Sequence, residues 1–339
     1  IPSLITNVHK SQTLQAGETA DLTLMLPENT NIAKSNYTIA LSNNPLLGIE
    51  KIVKSLAVYP FGCGEQLLSS TMPNAVLQRF TSILTDTWIE KKTIDENLKA
   101  WLEKIYEMSL PNWALKYWYD DTQGDIHITA YGVRVLLEIE KSGTQIRRDI
   151  VEKAVNYLIA NYVKSEWIEK AESLWAIADY HGKSTETLLN ISDLTAGFTP
   201  ATMKRHELVA FTYALVLTNP EKYTSTIDAN IVKIQKLLET EGEWDYYYSR
   251  LSDMGEFTQL LMDYKGDSKL ISEYILKMYS QDWESYWYST KTKNNAFLAF
   301  AKYIEIYGKN SVNTLAATLN ESRAQVTLGE ETNSYKKEI

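Results

Sequence analysis

The stretch Ala210-Phe211-Thr212-Tyr213-Ala214-Leu215-Val216-Leu217 shows the pattern that decides the fold. Apolar and small residues fill nearly all of it, which is typical of a helix buried on most of its sides. Four further stretches look related to it. With one aromatic marker for each, the five stretches are found at Tyr131, Trp175, Phe211, Phe257 and Phe297. The steps of 44, 36, 46 and 40 residues between these markers fit one helical pair per repeat.

More polar helical segments, such as Ile94–Glu107 and Ile227–Glu239, fall between these repeats and are predicted to form an outer layer. A helix that follows Cys63 adds a sixth inner helix. Six helical hairpins can close into an α/α toroid. We therefore predict a mainly α fold of this kind.

Both ends of the chain have the pattern of β-strands instead. Thr19–Leu26 alternates polar and apolar residues, and Tyr37–Leu41 is a second strand candidate. Leu315–Leu319 and Ala324–Leu328 predict a hairpin. The simplest arrangement is a small β module with the toroid inserted into it. The predicted domain ranges are residues 1–45 and 310–339 for the β module and 46–309 for the toroid.

Composition excludes several functions. A net charge of −9 and a pI near 5.2 argue against nucleic-acid binding, which needs clustered Lys and Arg. No run approaches the roughly 18 apolar residues of a membrane-spanning helix, so no membrane insertion is expected within this segment. A single cysteine excludes an internal disulfide framework and a Cys-rich metal site. We expect no metal and no cofactor.

That cysteine lies in Tyr59-Pro60-Phe61-Gly62-Cys63-Gly64-Glu65-Gln66. Pro60 favours an extended approach, and the flanking glycines allow unusual backbone angles before a helix begins. Gln66 places a carboxamide three residues after the thiol, so the two side chains can condense to a thioester with loss of ammonia. The acyl carbon of Gln66 would then accept an amine or a hydroxyl. The alternative is that Cys63 is a small buried core residue, as most lone cysteines are.

Gly62-Cys63-Gly64-Glu65-Gln66 resembles the thioester signature of the α2-macroglobulin and complement superfamily, and the arrangement is most similar to that of bacterial α2-macroglobulins. Segments that fit the same family are Tyr59-Pro60-Phe61, Met72-Pro73-Asn74, Ile128–Tyr131 and Tyr286–Lys291. Lys291 stands where the family usually has Gln. The likeness covers nearly all of residues 1–330 and implies that the β module is a CUB-like sandwich around a helical thioester domain.

The resemblance implies that the protein is a covalent trap for proteases and not an enzyme. Cleavage of a bait region elsewhere exposes the Cys63–Gln66 thioester, which acylates a surface Lys amine of the attacking protease. Gly62, Gly64 and Glu65 complete the motif, and Tyr59 matches a tyrosine that shields the bond. Implied partners are target proteases and neighbouring macroglobulin domains of the parent chain.

The same resemblance implies bacterial defence outside the cytoplasm. The protein would be periplasmic or secreted, with any membrane anchor in parts outside this segment.

One departure from the family concerns histidine. Complement members that prefer hydroxyl targets use a histidine before the helix that is matched here by Ala171–Tyr180. Residues Tyr162–Lys170 contain no histidine, and His181 falls after that helix. We interpret His181 and His206 as structural or surface residues and predict a preference for Lys amines over sugar hydroxyls.

Two other classes stay open. Toroids also carry glycan-processing enzymes and cyclases, and either the acidic loop Asp120, Asp121 and Asp125 or the aromatic stretch Glu243–Tyr248 could line a site. Both are more typical of turns and loops packed against helix ends. His127, on a stretch interpreted as strand or loop, lacks a third metal ligand. A thioester-based surface adhesin shares the motif chemistry, but the β–helical–β order argues against it.

Overall fold

The computed structural model describes residues 62–79, 91–190, 202–240, 248–281 and 288–307, four strands, and positions 28, 31, 55, 56 and 283. Helices dominate this part of the chain. They are α1 (Gly64–Arg79), α2 (Lys91–Glu107), α3 (Ile126–Lys141), α4 (Arg148–Asn161), α5 (Trp167–His181), α6 (Thr185–Leu189), α7 (Arg205–Thr218), α8 (Thr224–Thr240), α9 (Arg250–Tyr264), α10 (Ser268–Tyr279) and α11 (Thr290–Tyr307). Single 3-10 turns cover Tyr162–Lys164 and Gly182–Ser184.

Six of these helices form a closed ring. Going round it, α1 contacts α3, followed by α5, α7, α9 and α11, and α11 contacts α1 again. The long helices α2, α4, α8 and α10 pack on the outside of neighbouring ring members. This is the arrangement expected of an α/α toroid. The mainly α fold is confirmed, and the six ring helices are the inner helices predicted from the sequence.

Burial separates the two layers as their sequences require. Inner helix α7 buries every residue from Leu208 to Val216, so it has no solvent-facing side over that length. Outer helix α2 buries a stripe that includes Ile94, Leu98 and Ile105, and its remaining faces carry charged residues. The hydrophobic core therefore lies between the two layers.

Contacts between neighbouring ring helices show that they run in the same direction. Glu65 in the first turn of α1 accepts a hydrogen bond from Thr290, the first residue of α11, at 2.9 Å. Asp263 near the end of α9 pairs with Lys302 towards the end of α11. The same order holds for the pairs Arg205–Asp253 and Trp175–Tyr213. The first turns of the six ring helices therefore share one end of the ring, here called the N-terminal face, and Cys63 lies on it.

Four strands flank the helices in sequence. The strand β1 (Thr38–Ser42) pairs antiparallel with β4 (Ser334–Glu338), and β2 (Asn313–Leu319) pairs antiparallel with β3 (Ser322–Leu328). The predicted hairpin and the second predicted strand are confirmed. The strand predicted at Thr19–Leu26 lies outside the described residues. The sandwich and the domain boundaries stay predictions.

Among the described helices, none combines the length and the apolar character that a bilayer crossing demands.

Candidate functional site

The side chain of Gln66 folds back onto Cys63. Cys63 is buried, 4% exposed, and comes directly before α1, while Gln66 lies in the first turn of that helix. The carboxamide Oε1 of Gln66 accepts a hydrogen bond from the backbone N–H of Cys63 at 3.3 Å. The carboxamide is thus held over the residue that carries the thiol. Condensation of the two side chains requires this placement, and the bond itself stays a prediction.

Each motif glycine is required by a different neighbour. A Cβ at Gly62 would lie 2.4 Å from Cδ of Gln66, so a side chain there would occupy the place of the carboxamide. A Cβ at Gly64 would lie 2.6 Å from the backbone oxygen of Lys116. The N–H of Gly64 donates to the backbone oxygen of Tyr117 at 2.7 Å. The start of α1 therefore packs directly against the backbone of residues 116–117 and is hydrogen-bonded to it.

Glu65 joins the motif to two other ring helices. Its buried carboxylate accepts hydrogen bonds from Ser69 at 2.6 Å and from Thr290 at 2.9 Å. The Ser69 hydroxyl is 3.0 Å from that of Tyr131 in α3, which also accepts a hydrogen bond from Asn294 in α11 at 2.7 Å. Buried polar groups of this kind need partners. The network satisfies them and fixes α1 between α3 and α11.

Tyr117 was missed by the sequence reasoning. Its side chain is half-buried, and Cys63 is close enough to influence its pKa. Burial first, and then Cys63 and the neighbouring negative charges, raise the pKa of Tyr117 well above its ordinary value. Trp118 packs edge-on against it with ring centroids 5.3 Å apart. The predicted shielding residue, Tyr59, lies outside the described residues.

A cluster of charged side chains lies further along the N-terminal face. His127 in the first turn of α3 contacts the carboxylate of Glu172 in α5 through Nδ1. Lys291 at the start of α11 is 3.5 Å from the other oxygen of Glu172. Tyr248, just before α9, places its hydroxyl 3.3 Å from His127, and its ring lies 4.7 Å from the Lys291 ammonium. We call His127, Glu172, Lys291 and Tyr248 the histidine cluster.

The interpretation of the His127 stretch as strand or loop is wrong. Asp125 caps α3, with its carboxylate accepting from the N–H of Ile128 at 2.9 Å, so the helix starts at Ile126. The β-branched residues of this turn favour a strand locally. The cap and the burial of Ile128 and Thr129 outweigh that preference.

The side chains of the histidine cluster shift the pKa values of one another. Burial lowers the pKa of His127, but the hydrogen bond to Glu172 and the charge of that carboxylate outweigh burial and raise this pKa above its ordinary value. Burial raises the pKa of Glu172, whereas the charge of Lys291 and then the contact with His127 bring it well below its usual range. The contact with Glu172 therefore favours the protonated form of the imidazole.

The other two described histidines pack against aromatic side chains. His181 is the last residue of α5, at the opposite end of the ring, and contacts Tyr180 edge-on at 4.7 Å. His206 begins α7 and stacks on Tyr248 at 3.9 Å. These contacts suit packing roles.

The rival acidic loop makes turn and cap contacts. Asp121 accepts from the backbone N–H of Trp118 at 2.7 Å, and Asp125 is the cap of α3. In the described part of the chain no three His, Cys, Asp or Glu side chains group in a way that could hold a metal ion. Apart from Tyr248, the aromatic stretch Glu243–Tyr248 lies outside the described residues.

Comparison with known proteins finds one family that resembles this chain. Residues 39–196 match the family model of the A-macroglobulin TED domain. An α2-macroglobulin homolog from Yersinia pestis is 26% identical over 117 residues, which are 34% of this chain and 6% of that protein. These matches support the resemblance to the α2-macroglobulin and complement thioester superfamily.

Two solved α2-macroglobulin structures share the fold. Salmonella α2-macroglobulin reacted with methylamine matches with a TM-score of 0.67 and 16% identity, over 89% of this chain and 20% of that one. Trypsin-activated α2-macroglobulin from Escherichia coli matches with a TM-score of 0.60 and 19% identity, over 89% of this chain and 21% of that one. The matched part is thus a small fraction of these α2-macroglobulins.

Proposed function

We propose that this chain is the thioester-bearing part of a protease trap of the α2-macroglobulin kind. The observation that carries the proposal is the Gln66 carboxamide folded back over buried Cys63 at the start of a helix. The family match supports it. In this proposal the strands on either side of the toroid belong to a CUB-like β-sandwich.

The proposed chemistry uses the site once. Cys63 and Gln66 condense with loss of ammonia, and a Lys amine of the protease later attacks the Gln66 acyl carbon. An amide to the target forms and the Cys63 thiol is released. Because nothing restores the thioester, the chain does not turn over and is not an enzyme in the usual sense.

A preference for amines follows from the state of His127. A hydroxyl target needs an imidazole that first accepts the acyl group, and only a neutral imidazole can do so. The contact with Glu172 raises the pKa of His127 and so favours its protonated form, and His181 lies at the far end of the ring. An amine is nucleophilic enough to attack the acyl carbon directly. We therefore propose that Lys side chains are the targets.

The proposed partners are proteases and the neighbouring macroglobulin domains of the parent chain. The Escherichia coli relative is described as trypsin activated, which supports a protease as the trigger. We place the protein outside the cytoplasm, periplasmic or secreted, where it would defend a bacterial cell against foreign proteases.

The test is to incubate the full-length parent protein with trypsin. We expect a trypsin conjugate that survives detergent and reductant, with a trypsin lysine joined to Gln66 in the peptide map. Cys63→Ala and methylamine-treated wild type should give none. Conjugates that form equally well with Cys63→Ala would overturn the proposal. Turnover of a polysaccharide by both proteins would favour the glycan-processing alternative.

A further inference from the structure

We propose that Thr290, supported by Tyr131, is a positioning residue for the thioester, which acts through Glu65 to hold Gln66 over Cys63. This inference rests on the proposed function, because it assigns a role in forming the same bond. Thr290 lies 225 positions along the chain from Glu65, so no local pattern in the sequence joins them. It acts from the ring helix α11 on α1, the helix that carries the acyl group.

The carboxylate of Glu65 is held from α11 and from within α1. The hydroxyl of Thr290, the first residue of α11, lies 3.1 and 2.9 Å from the two carboxylate oxygens. Ser69, one turn further along α1, donates to the first of these oxygens at 2.6 Å. The Glu65 side chain is buried, so protein donors take the place of water around it. The direction in which Glu65 points is therefore set by α11.

Hydrogen bonds from three helices run towards this carboxylate. The one hydroxyl proton of Ser69 goes to Glu65, so the Tyr131 hydroxyl, 3.0 Å away, is the donor to Ser69. Asn294 in turn donates to the oxygen of Tyr131 at 2.7 Å. Burial first, and then the charge of Glu65, raise the pKa of Tyr131, so its phenol keeps the proton that it donates. We call Glu65, Ser69, Tyr131, Asn294 and Thr290 the Glu65 network.

The direction of Glu65 fixes that of Gln66, because the two are successive residues of one helix. Successive side chains of an α-helix point about 100° apart around its axis. The turn is helical from its start, since the N–H of Leu67 donates to the carbonyl of Cys63 at 3.1 Å. A rotation of this turn that broke the bond from Thr290 would therefore also carry the Gln66 carboxamide away from Cys63.

The start of α1 needs an anchor outside its own helix. Pro73 lies inside α1 and has no N–H, so the carbonyl of Ser69 cannot receive the usual hydrogen bond from four residues further on. The start of α1 is thereby joined to the rest of the helix by one bond fewer. The bond from Thr290 and the bond from the N–H of Gly64 to Tyr117 hold this part from outside.

The first experiment compares Thr290→Val, Thr290→Ser and Thr224→Val with wild type in the full-length parent. Thr224 is also a half-buried first residue of a helix, and its hydroxyl donates to the carbonyl of Pro220 at 2.8 Å, so its valine variant is the matched control. Intact mass gives the fraction of protein that has lost one ammonia at successive times after synthesis is stopped. We expect Thr290→Val to form the thioester about tenfold more slowly, since a hydrogen bond to a charged group is lost, and the other two variants to match wild type.

Urea unfolding of the same four proteins separates positioning from stability. If the role of Thr290 were merely structural, Thr290→Val would unfold more easily, but its folded form would make the thioester at the wild-type rate. That result would overturn the proposal, as would equal slowing in Thr290→Ser or in Thr224→Val. Wild type that never loses ammonia would instead overturn the proposed function.

Tyr131→Phe is a second variant, which keeps the aromatic ring and removes only the donor to Ser69. Both hydroxyls on Glu65 remain, so we expect thioester formation to slow by less than in Thr290→Val, about threefold. An unchanged rate would overturn the role of the Glu65 network, and this holds even where Thr290→Val does not fold. Stronger slowing than in Thr290→Val would show that α3 acts by its packing and not through Glu65, which would also contradict the proposal.

Discussion

At the scale of single residues, the two motif glycines have different roles: Gly62 serves the proposed chemistry and Gly64 serves the fold. Gly62 makes room for the carboxamide of Gln66, which is the movable end of a side chain. Gly64 makes room for the backbone oxygen of Lys116, which is fixed by the fold. The same substitution should therefore have different consequences at the two positions.

We expect Gly64→Ala to lower the free energy of unfolding by about 1–3 kcal/mol, because its methyl group would overlap a backbone atom. The better helix propensity of Ala gains at most about 1 kcal/mol at this position and does not compensate. Gly62→Ala should change stability by less than about 1 kcal/mol, since the carboxamide of Gln66 can rotate away, but it should abolish methylamine uptake. Urea unfolding and mass spectrometry check the pair. A fully reactive Gly62→Ala would show that the observed carboxamide position is not needed.

The sequence predicted the local part of this site and missed the rest. Cys63 and Gln66 could be paired because a spacing of three residues at a helix start brings side chains together. Tyr117 and Glu172 reach the N-terminal face only because the ring helices are parallel, and no local spacing encodes that. Their partners are recognisable only once the direction of each helix is known.

At the scale of elements, the histidine cluster joins three ring helices. His127 belongs to α3, Glu172 to α5 and Lys291 to α11, so one carboxylate is shared by two basic side chains from different helices. Lys291 is itself buried. Its ammonium supplies the charge that, with His127, keeps Glu172 ionised although it is buried.

This pairing predicts a pH dependence of stability. The folded-state pKa of His127 is raised above its unfolded value of about 6.5, so the pair contributes fully below that pH. The contribution is lost as the pH rises through the raised folded pKa. We expect the stability difference between wild type and His127→Gln to be largest below about pH 6.5 and to shrink as the pH rises through the raised folded pKa.

Urea unfolding at several pH values measures this difference. His181→Gln is the control, because burial lowers the pKa of His181 and any pH trend there should have the opposite sign. A His127→Gln difference that stays constant or grows with pH would show that the imidazole is not held protonated.

At the scale of the whole molecule, the candidate thioester lies where the ring closes. The bond between Glu65 and Thr290 joins residues 225 positions apart, and it links the first ring helix to the last. The repeat pattern predicted six inner helices because each carries its own apolar surface. It could not give the closing contacts, since these depend on polar residues such as Asn294 and Tyr131 that meet only in the finished ring.

The central claim is that Cys63 and Gln66 form one covalent bond, and the intact mass of the freshly purified full-length parent tests it most directly. We predict that native protein is lighter than its sequence by one ammonia, and that methylamine adds its own mass and labels Gln66. Cys63→Ala should show neither change. A native protein with its full sequence mass and no methylamine uptake would contradict the account, as would a mass deficit that persists in Cys63→Ala.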